Sequence, residues 1–181
     1  MHIALIGLRA SGKTTIARIL AEQLQWRHVD LDELVLERNG YDSVARYFMD
    51  HGESAWRTGE LDAFDTLDAD EDLVLSLGGG APMIDRIHQV LQQRRADGSA
   101  LVILLDPPLQ VMQQRLKAET GDRPSLTGQS PADELEQISQ ARRPRMLELA
   151  DQVIDTSRHD PDECVESIKR FLSGRQEPGS A

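Results

Sequence analysis

The feature that most constrains this chain is a glycine-rich segment placed between an apolar run and a helical pattern. Residues 7–14 read GLRASGKT and satisfy the spacing G-x-x-x-x-G-K-[ST]. The run Ile3–Ile6 before the segment predicts a strand, and apolar residues after it recur at helical spacing, at Ile16, Ile19, Leu20 and Leu24. Such a turn points backbone N–H groups inward at the positive end of a helix, which favours phosphate binding.

The motif predicts a role for two of its side chains. Lys13 would reach the β- and γ-phosphates of ATP, and the Thr14 hydroxyl would bind Mg²⁺. A glycine turn that merely joins a strand to a helix is the alternative, but such a turn requires neither the lysine nor the threonine. The motif says nothing about the molecule that receives the phosphate.

Short apolar runs alternate with amphipathic segments, which is typical of a parallel sheet covered by helices. Five strands are predicted, at Ile3–Ile6, His28–Asp30, Leu73–Leu77, Leu101–Leu105 and Gln152–Asp155. Helices are predicted in the intervals, at Glu33–Asn39, Val44–Asp50, Glu53–Asp68, Ile84–Arg95, Leu109–Glu119, Ala132–Leu149 and Pro161–Leu172. A chain of 181 residues is therefore expected to form one α/β domain over residues 1–172.

Two segments depart from this alternation. Residues 120–131 read TGDRPSLTGQSP, with two glycines, two prolines and one large apolar residue, and they are predicted to form a mobile surface loop. Residues 173–181 are polar and contain Pro and Gly, so a flexible tail is predicted there.

The composition argues against several classes of protein. A net charge of −11 repels nucleic acid, so the cations that bind an anionic ligand must be concentrated locally. The single cysteine, Cys164, allows no intrachain disulfide and favours a reducing compartment. The four-residue apolar run before Gly7 is too short for a signal peptide or a membrane span, so a cytoplasmic protein is expected.

Carboxylates stand where the predicted strands end, and ligands of an open parallel sheet bind beyond those ends. Asp30 and Asp32 follow the second strand; one carboxylate could support the metal and the other could meet an acceptor hydroxyl. Asp32 could equally be the N-cap of the helix predicted at Glu33. Asp106 ends the fourth strand and competes with Asp30 for the metal.

Glycines and arginines complete the candidate site. Residues 78–80 read GGG after the third strand, where they would expose backbone N–H groups to a ligand or form a plain turn. Pro144 is expected to interrupt a helix and turn the two arginines before it toward the cleft. Four arginines could supply the positive charge, namely Arg57, Arg123, Arg142 and Arg143. For each of them, a solvated surface arginine without a role in the site is the alternative.

These segments, in this order, resemble the shikimate kinase family. The resemblance runs from Ile3 to about Thr156 and rests on GLRASGKTT, VDLDE, GYDSVARYFMDHGESAWRTGE, LSLGGGAP, DRPSL and ARRPRMLELADQVIDT. It implies transfer of the γ-phosphate of ATP to the 3-hydroxyl of shikimate, with Mg²⁺, in aromatic amino-acid biosynthesis. It also implies a three-layer P-loop kinase fold with a five-stranded parallel sheet, like that of nucleoside monophosphate kinases, and a lid at about residues 120–131.

The resemblance further implies the roles of individual residues. Catalysis would use Lys13, Asp32 and Arg123. The acceptor would be bound by Asp32, Arg57, Gly78, Gly79, Gly80 and Arg142, with the two arginines on its carboxylate. ATP would be bound by Ala10, Ser11, Gly12, Lys13, Thr14, Thr15, Arg115, Arg123 and Pro161. Mg²⁺ would be bound directly by Thr14 and through water by Asp30, which decides the competition with Asp106 in favour of Asp30.

Three positions depart from the family pattern without removing a proposed catalytic group. Trp56 stands where Phe is usual, Ser125 stands in the lid where Leu is usual, and Arg145-Met146 replaces Leu-Tyr after Pro144.

Two other functions are consistent with the residues alone. One is a related kinase of another small hydroxy acid such as gluconate. The other is a non-catalytic module that uses ATP as a switch, which would not require Asp32, Arg57 and Arg142 to converge beside the γ-phosphate. A monomer with ATP and shikimate as its partners, and without nucleic-acid or membrane partners, is expected.

Overall fold

Five parallel strands form one sheet in the order β2-β3-β1-β4-β5. The structure, a computed structural model, describes residues 1–68, 70–118 and 131–176. The strands are β1 (His2–Ile6), β2 (Arg27–Asp30), β3 (Leu73–Ser76), β4 (Ala100–Leu105) and β5 (Gln152–Ile154). Each predicted strand is present within about a residue at either end, and the predicted α/β fold class is confirmed.

Helices connect successive strands. They are α1 (Lys13–Leu24), α2 (Leu31–Asn39), α3 (Val44–Phe64), α4 (Asp85–Ala96), α5 (Leu109–Ala118), α6 (Pro131–Leu149) and α7 (Pro161–Gln176). A short 3-10 turn, Ala81–Met83, leads from the end of β3 into α4. None of the described helices is both long and apolar enough to cross a membrane.

Gly52 and Pro144 lie inside elements α3 and α6, and the predicted end of α7 is corrected. The two helices predicted on either side of Gly52 are present as the two helical segments of α3, which meet at a kink where glycine accepts a positive φ of 77°. α6 matches its predicted range to within one residue, but the expected interruption at Pro144 is wrong, since buried Leu135 and Met146 pack on both sides of the proline. α7 extends to Gln176 rather than Leu172 because Arg175 in its last turn pairs with Asp151.

The sheet is covered on both faces. Along β1, Ala4 and Ile6 pack into one hydrophobic cluster, whereas Ile3 and Leu5 pack into the other. The first cluster includes Trp56 of α3 and the second is formed largely with α1 and α7. Because both faces are buried, the central strands read as continuous apolar runs rather than as alternating ones.

Asp151, at the start of β5, joins three parts of the fold. Its side chain is 3% exposed and accepts hydrogen bonds from Arg95 Nε at 3.0 Å, from the Val102 backbone N–H at 2.9 Å, and from Arg175. The carboxylate therefore links α4, β4 and the last turn of α7.

Replacing Asp151 with Ala should lower the free energy of unfolding by about 3 kcal/mol, because two guanidiniums and a backbone N–H lose their acceptor. Urea unfolding of the purified protein measures the change. The matched control is Asp72→Ala, which removes an ion pair between an exposed carboxylate and the amino terminus and should cost less than about 1 kcal/mol. Equal losses in the two variants would contradict the role of Asp151.

Candidate functional site

The glycine-rich segment forms a tight loop between β1 and α1. A Cβ at Gly7 would lie 2.5 Å from the Leu105 carbonyl oxygen, so only glycine allows the loop to pass this close to the end of β4. Gly12 precedes α1 with φ 99°. Ala10 adopts a left-handed conformation (φ 61°) although it is not glycine, which is a strained backbone of the kind found at binding sites.

Lys13 and Thr14 begin α1 and face a cavity of about 490 Å³. Lys13 Nζ donates a hydrogen bond to the Leu8 carbonyl at 2.8 Å, and the Thr14 hydroxyl donates to Asp30 Oδ2 at 3.0 Å. Ala10, Gly12 and Thr15 also line this phosphate cavity. Ser11, although it belongs to the loop, is fully buried and does not line the cavity.

The pairing of Thr14 with Asp30 brings a hydroxyl and a carboxylate together, and Mg²⁺ prefers such oxygen ligands. The described residues include no group of three or more His, Cys, Asp or Glu side chains that could hold a metal ion by themselves. The two oxygens therefore fit a metal that arrives with a phosphate ligand rather than one enclosed by protein side chains.

Asp30, rather than Asp32, caps α2. Asp30 Oδ1 accepts from the backbone N–H groups of Asp32 at 3.1 Å and of Glu33 at 3.4 Å. The interpretation of Asp32 as an N-cap is therefore wrong, because α2 begins two residues earlier than predicted. The Asp30 carboxylate thus caps α2 and also accepts the hydrogen bond from Thr14. The Asp32 side chain does not cap the helix, and Asp32 lines the phosphate cavity.

Asp106 and Arg143 form an ion pair with each other. Asp106 Oδ2 accepts a hydrogen bond from Arg143 Nε at 2.8 Å, and neither residue lines the phosphate cavity or the acceptor cavity described next. The ion pair supports the choice of Asp30 over Asp106 for the metal. Arg143 therefore lies outside the acceptor cavity, whereas Arg142, its neighbour in sequence, lines it.

A second cavity, of about 110 Å³, adjoins the phosphate cavity. Asp32, Arg57, Arg142 and the glycines 78–80 line this acceptor cavity, together with Glu60 and Glu134. Its apolar wall is formed by Leu8, Val44, Phe48, Trp56, Leu116, Leu135 and Ile138. Because Asp32, Gly78 and Gly79 line both cavities, the two compartments meet at the Asp32 carboxylate.

The glycine triplet allows side chains to approach the backbone. A Cβ at Gly78 would lie 2.5 Å from Asp32 Oδ1 and 2.9 Å from Glu60 Oε1. A Cβ at Gly80 would overlap the Arg57 guanidinium, and the Gly79 carbonyl accepts from Arg142 Nη1 at 3.1 Å. Gly78 and Gly80 thus leave room for the side chains of Asp32, Glu60 and Arg57, in addition to any room that they leave for a ligand.

The two arginines of the acceptor cavity differ in how their charge is balanced. Arg57 donates to Glu60 at 2.6 Å and to Glu53 at 2.8 Å. Within the described part of the chain, no carboxylate lies within ion-pair distance of Arg142, and burial together with the nearby Arg57 lowers the pKa of Arg142. An anion placed between the guanidiniums would stabilise both of them, so the pair favours a carboxylate or phosphate ligand.

Glu60 is a buried acid that was not among the predicted site residues. Its burial raises the pKa of the carboxyl group to about 7; Arg57 opposes this shift, and the charge of Asp32 adds to it. Glu60 follows Arg57 by three residues, so helical spacing placed the two on one face, and that spacing was the available signal.

A third cavity, of about 420 Å³, lies on the other side of the loop. Arg115 and Pro161 both line it, and Arg115 donates to the Ala10 carbonyl at 3.1 Å and to the Thr156 carbonyl at 2.9 Å. Thr156 was not predicted as a site residue, although it stands just beyond β5 and its hydroxyl donates to the Ser11 carbonyl at 2.9 Å. Cys164 at the edge of this cavity is a buried core residue, and burial raises its pKa.

Arg123 and the predicted lid, residues 120–131, lie almost entirely outside the described residues; only Pro131, at the start of α6, is described. Their roles stay predictions. Apart from the buried Ser11, every other residue predicted for ATP, acceptor or metal binding lines one of the three contiguous cavities at one edge of the sheet.

Comparison with known proteins gives a consistent result. The family model described as shikimate kinase matches residues 9–173. The chain is 36% identical to a shikimate kinase of Nitratidesulfovibrio vulgaris over 84% of this chain and 85% of that one, and 33% identical to a shikimate kinase of Symbiobacterium thermophilum over 99% and 100%. It also resembles the structure of shikimate kinase from Acinetobacter baumannii in complex with shikimate, with a TM-score of 0.86, 28% identity and coverage of 97% and 94%. The chain therefore belongs to the shikimate kinase family, whose members are ATP-dependent kinases.

Proposed function

We propose that this protein transfers the γ-phosphate of ATP to the 3-hydroxyl of shikimate. The observation that carries the proposal is that the phosphate cavity and the acceptor cavity meet at Asp32. A hydroxyl bound there would lie between a carboxylate that can take its proton and the loop that holds the transferring phosphate.

ATP would bind with its phosphates on the loop and its adenine in the third cavity, beside Arg115 and Pro161. Lys13 would leave the Leu8 carbonyl to stabilise the β- and γ-phosphates, assisted by the backbone N–H groups of residues 10–15. Thr14 would bind Mg²⁺ directly and Asp30 through water. When bound, Mg²⁺ would neutralise negative charge on the phosphates. Arg123 would add a further cation from the lid.

The acceptor would be held at both ends. Arg57 and Arg142 would bind its carboxylate, and the backbone of residues 78–80 would contact its ring. Asp32 would orient the 3-hydroxyl and accept its proton as the hydroxyl oxygen attacks the γ-phosphorus. The bond from that phosphorus to the β,γ-bridging oxygen then breaks and ADP leaves.

The apolar wall of the acceptor cavity favours shikimate over an open-chain hydroxy acid. Phe48, Trp56 and Leu135 suit the carbon face of a ring, whereas gluconate would present hydroxyls to these side chains. The convergence of Asp32 and two arginines beside the phosphate cavity favours transfer over a switch that only binds ATP. A monomeric, cytoplasmic enzyme is part of the proposal.

A coupled assay of ADP release with different acceptors tests the function. Shikimate should support turnover at least about a hundredfold faster than gluconate, because each acceptor hydroxyl left against an apolar wall loses a hydrogen bond. Omitting the acceptor gives the background rate of ATP hydrolysis. Faster turnover with gluconate, or ADP release that does not depend on any acceptor, would contradict the proposal.

Replacing Arg57 or Arg142 with Ala should raise the KM for shikimate about ten- to a hundredfold, because each removes a charge-assisted hydrogen bond. Lys at either position should recover only part of this loss, since it lacks the planar fork of donors. The matched control is Arg143→Ala, because Arg143 pairs with Asp106 outside the acceptor cavity. A loss confined to ATP binding would instead assign Arg57 and Arg142 to the nucleotide.

The two aspartates should respond differently to substitution with Asn. Asp32→Asn should lower kcat severely at every Mg²⁺ concentration, because excess metal cannot replace an acceptor-side base. Asp30→Asn still caps α2, so the fold should hold, and raised Mg²⁺ should recover part of its activity. Steady-state rates across a magnesium titration measure both. Rescue of Asp32→Asn but not of Asp30→Asn would mean that the two roles are reversed.

A further inference from the structure

Arg145 makes a pair of contacts that the proposed reaction does not use. Its Nε donates to His88 Nδ1 at 3.1 Å, and its Nη2 contacts Asp85 Oδ1 at 2.6 Å. His88 is 7% exposed and lies in α4, which follows the turn that continues from the glycine triplet. Arg145 is also one of the positions that depart from the family pattern.

These contacts hold α6 at a second point near the acceptor cavity. Arg142 lies one helical turn before Arg145, on the same side of α6, and donates to the Gly79 carbonyl at 3.1 Å. α6 is therefore bonded at two points to residues 79–88. One point is Gly79 in the glycine triplet, and the other is the first turn of α4 just beyond it. The second attachment adds to the packing of Leu135 and Met146 in opposing rotation of the helix about its axis, and it acts on the turn next to Arg142.

We propose that Arg145 and His88 are positioning residues that hold Arg142 in place for the acceptor carboxylate and make the KM for shikimate depend on pH. This inference rests on the acceptor role of Arg142 proposed above. Neither residue lines the acceptor cavity, so the effect acts through α6 rather than by contact with the substrate.

Protonation of His88 breaks the pair. Nδ1 can accept from Arg145 only while it carries no proton, because a protonated ring would present a donor and a positive charge to the guanidinium. Burial lowers the pKa of His88 below its usual 6.5, and Arg145 of α6 lowers it further. The Pro82 carbonyl, Glu148 of α6 and Asp85 of α4 oppose the shift. The pair is thus intact at neutral pH, and its contribution is lost as the pH falls through the lowered pKa.

The test compares kcat and both KM values from pH 8 down to the lowest pH at which the wild type stays folded, in the wild type, Arg145→Met, Arg145→Lys and His88→Asn. Arg145→Met should raise the KM for shikimate about three- to tenfold at pH 7.5, leaving kcat and the KM for ATP unchanged. Arg145→Lys, which keeps the charge and the aliphatic stem, should recover part of the loss. His88→Asn offers a neutral acceptor at every pH, so its KM should lack the acidic rise that His88 gives the wild type.

A matched control exists at the opposite edge of the sheet. His2, at the start of β1, accepts from Arg94 through the same Nδ1 atom at 2.7 Å. His2→Asn should lower the unfolding temperature without changing the KM for shikimate. Glu60, with a pKa of about 7, titrates in the same window in every variant. The readout is therefore the ratio of the wild-type KM to the His88→Asn KM at each pH.

The outcomes separate this inference from the proposed function. If Arg142→Ala raises the KM for shikimate but Arg145→Met and Arg145→Lys do not, the positioning role is wrong and the function stands. If Arg142→Ala leaves the KM unchanged, the acceptor assignment itself fails. Equal losses in kcat and in both substrate affinities, or a pH-independent ratio between the wild type and His88→Asn, would also overturn the positioning role.

Discussion

The close approach of the glycine-rich loop to the ends of three neighbouring strands is the constraint on which the site depends. Gly7 passes against the carbonyl of Leu105 at the end of β4, and a Cβ at Gly79, just beyond β3, would lie 3.5 Å from the Gly7 carbonyl. This spacing exists because all strands are parallel, so that their carboxyl ends meet at one edge. The phosphate and acceptor cavities are adjacent for the same reason.

The second constraint is electrostatic. A chain with a net charge of −11 is proposed to bind ATP and a carboxylate, so its cations must be local and fixed. Arg57 is held by Glu53 and Glu60, whereas Arg142 is held by a neutral carbonyl and keeps its charge unbalanced by any described ion pair. The difference leaves Arg142 in the acceptor cavity without an ion pair among the described residues, and it places a buried acid, Glu60, beside the residues that would bind the acceptor.

The strands were predicted closely because five buried parallel strands produce five separate apolar runs, and that signal is local. Predictions that depended on a single residue were less accurate. Pro144 does not interrupt α6 as expected, since packing on both sides of it outweighs one lost hydrogen bond. Asp32 is not a cap, because Asp30 already meets the N–H groups at the start of α2. The contacts that decide the first case are tertiary packing contacts of α6. Those that decide the second are local, since Asp30 lies two residues before Asp32.

The sequence by itself determined the parallel α/β fold and the phosphate loop, because each is encoded in short contiguous patterns, whereas the roles of the scattered charged residues were indicated only by the family resemblance. Only the tertiary structure decided the pairings between distant elements, whereas the pairs of Arg57 with Glu53 and Glu60 follow helical spacing. Asp106, one of two metal candidates on the residues alone, pairs with Arg143 of α6 across 37 positions, and Arg145 meets His88 across 57. Such pairings arise from how helices pack on the sheet, and no local pattern specifies that packing.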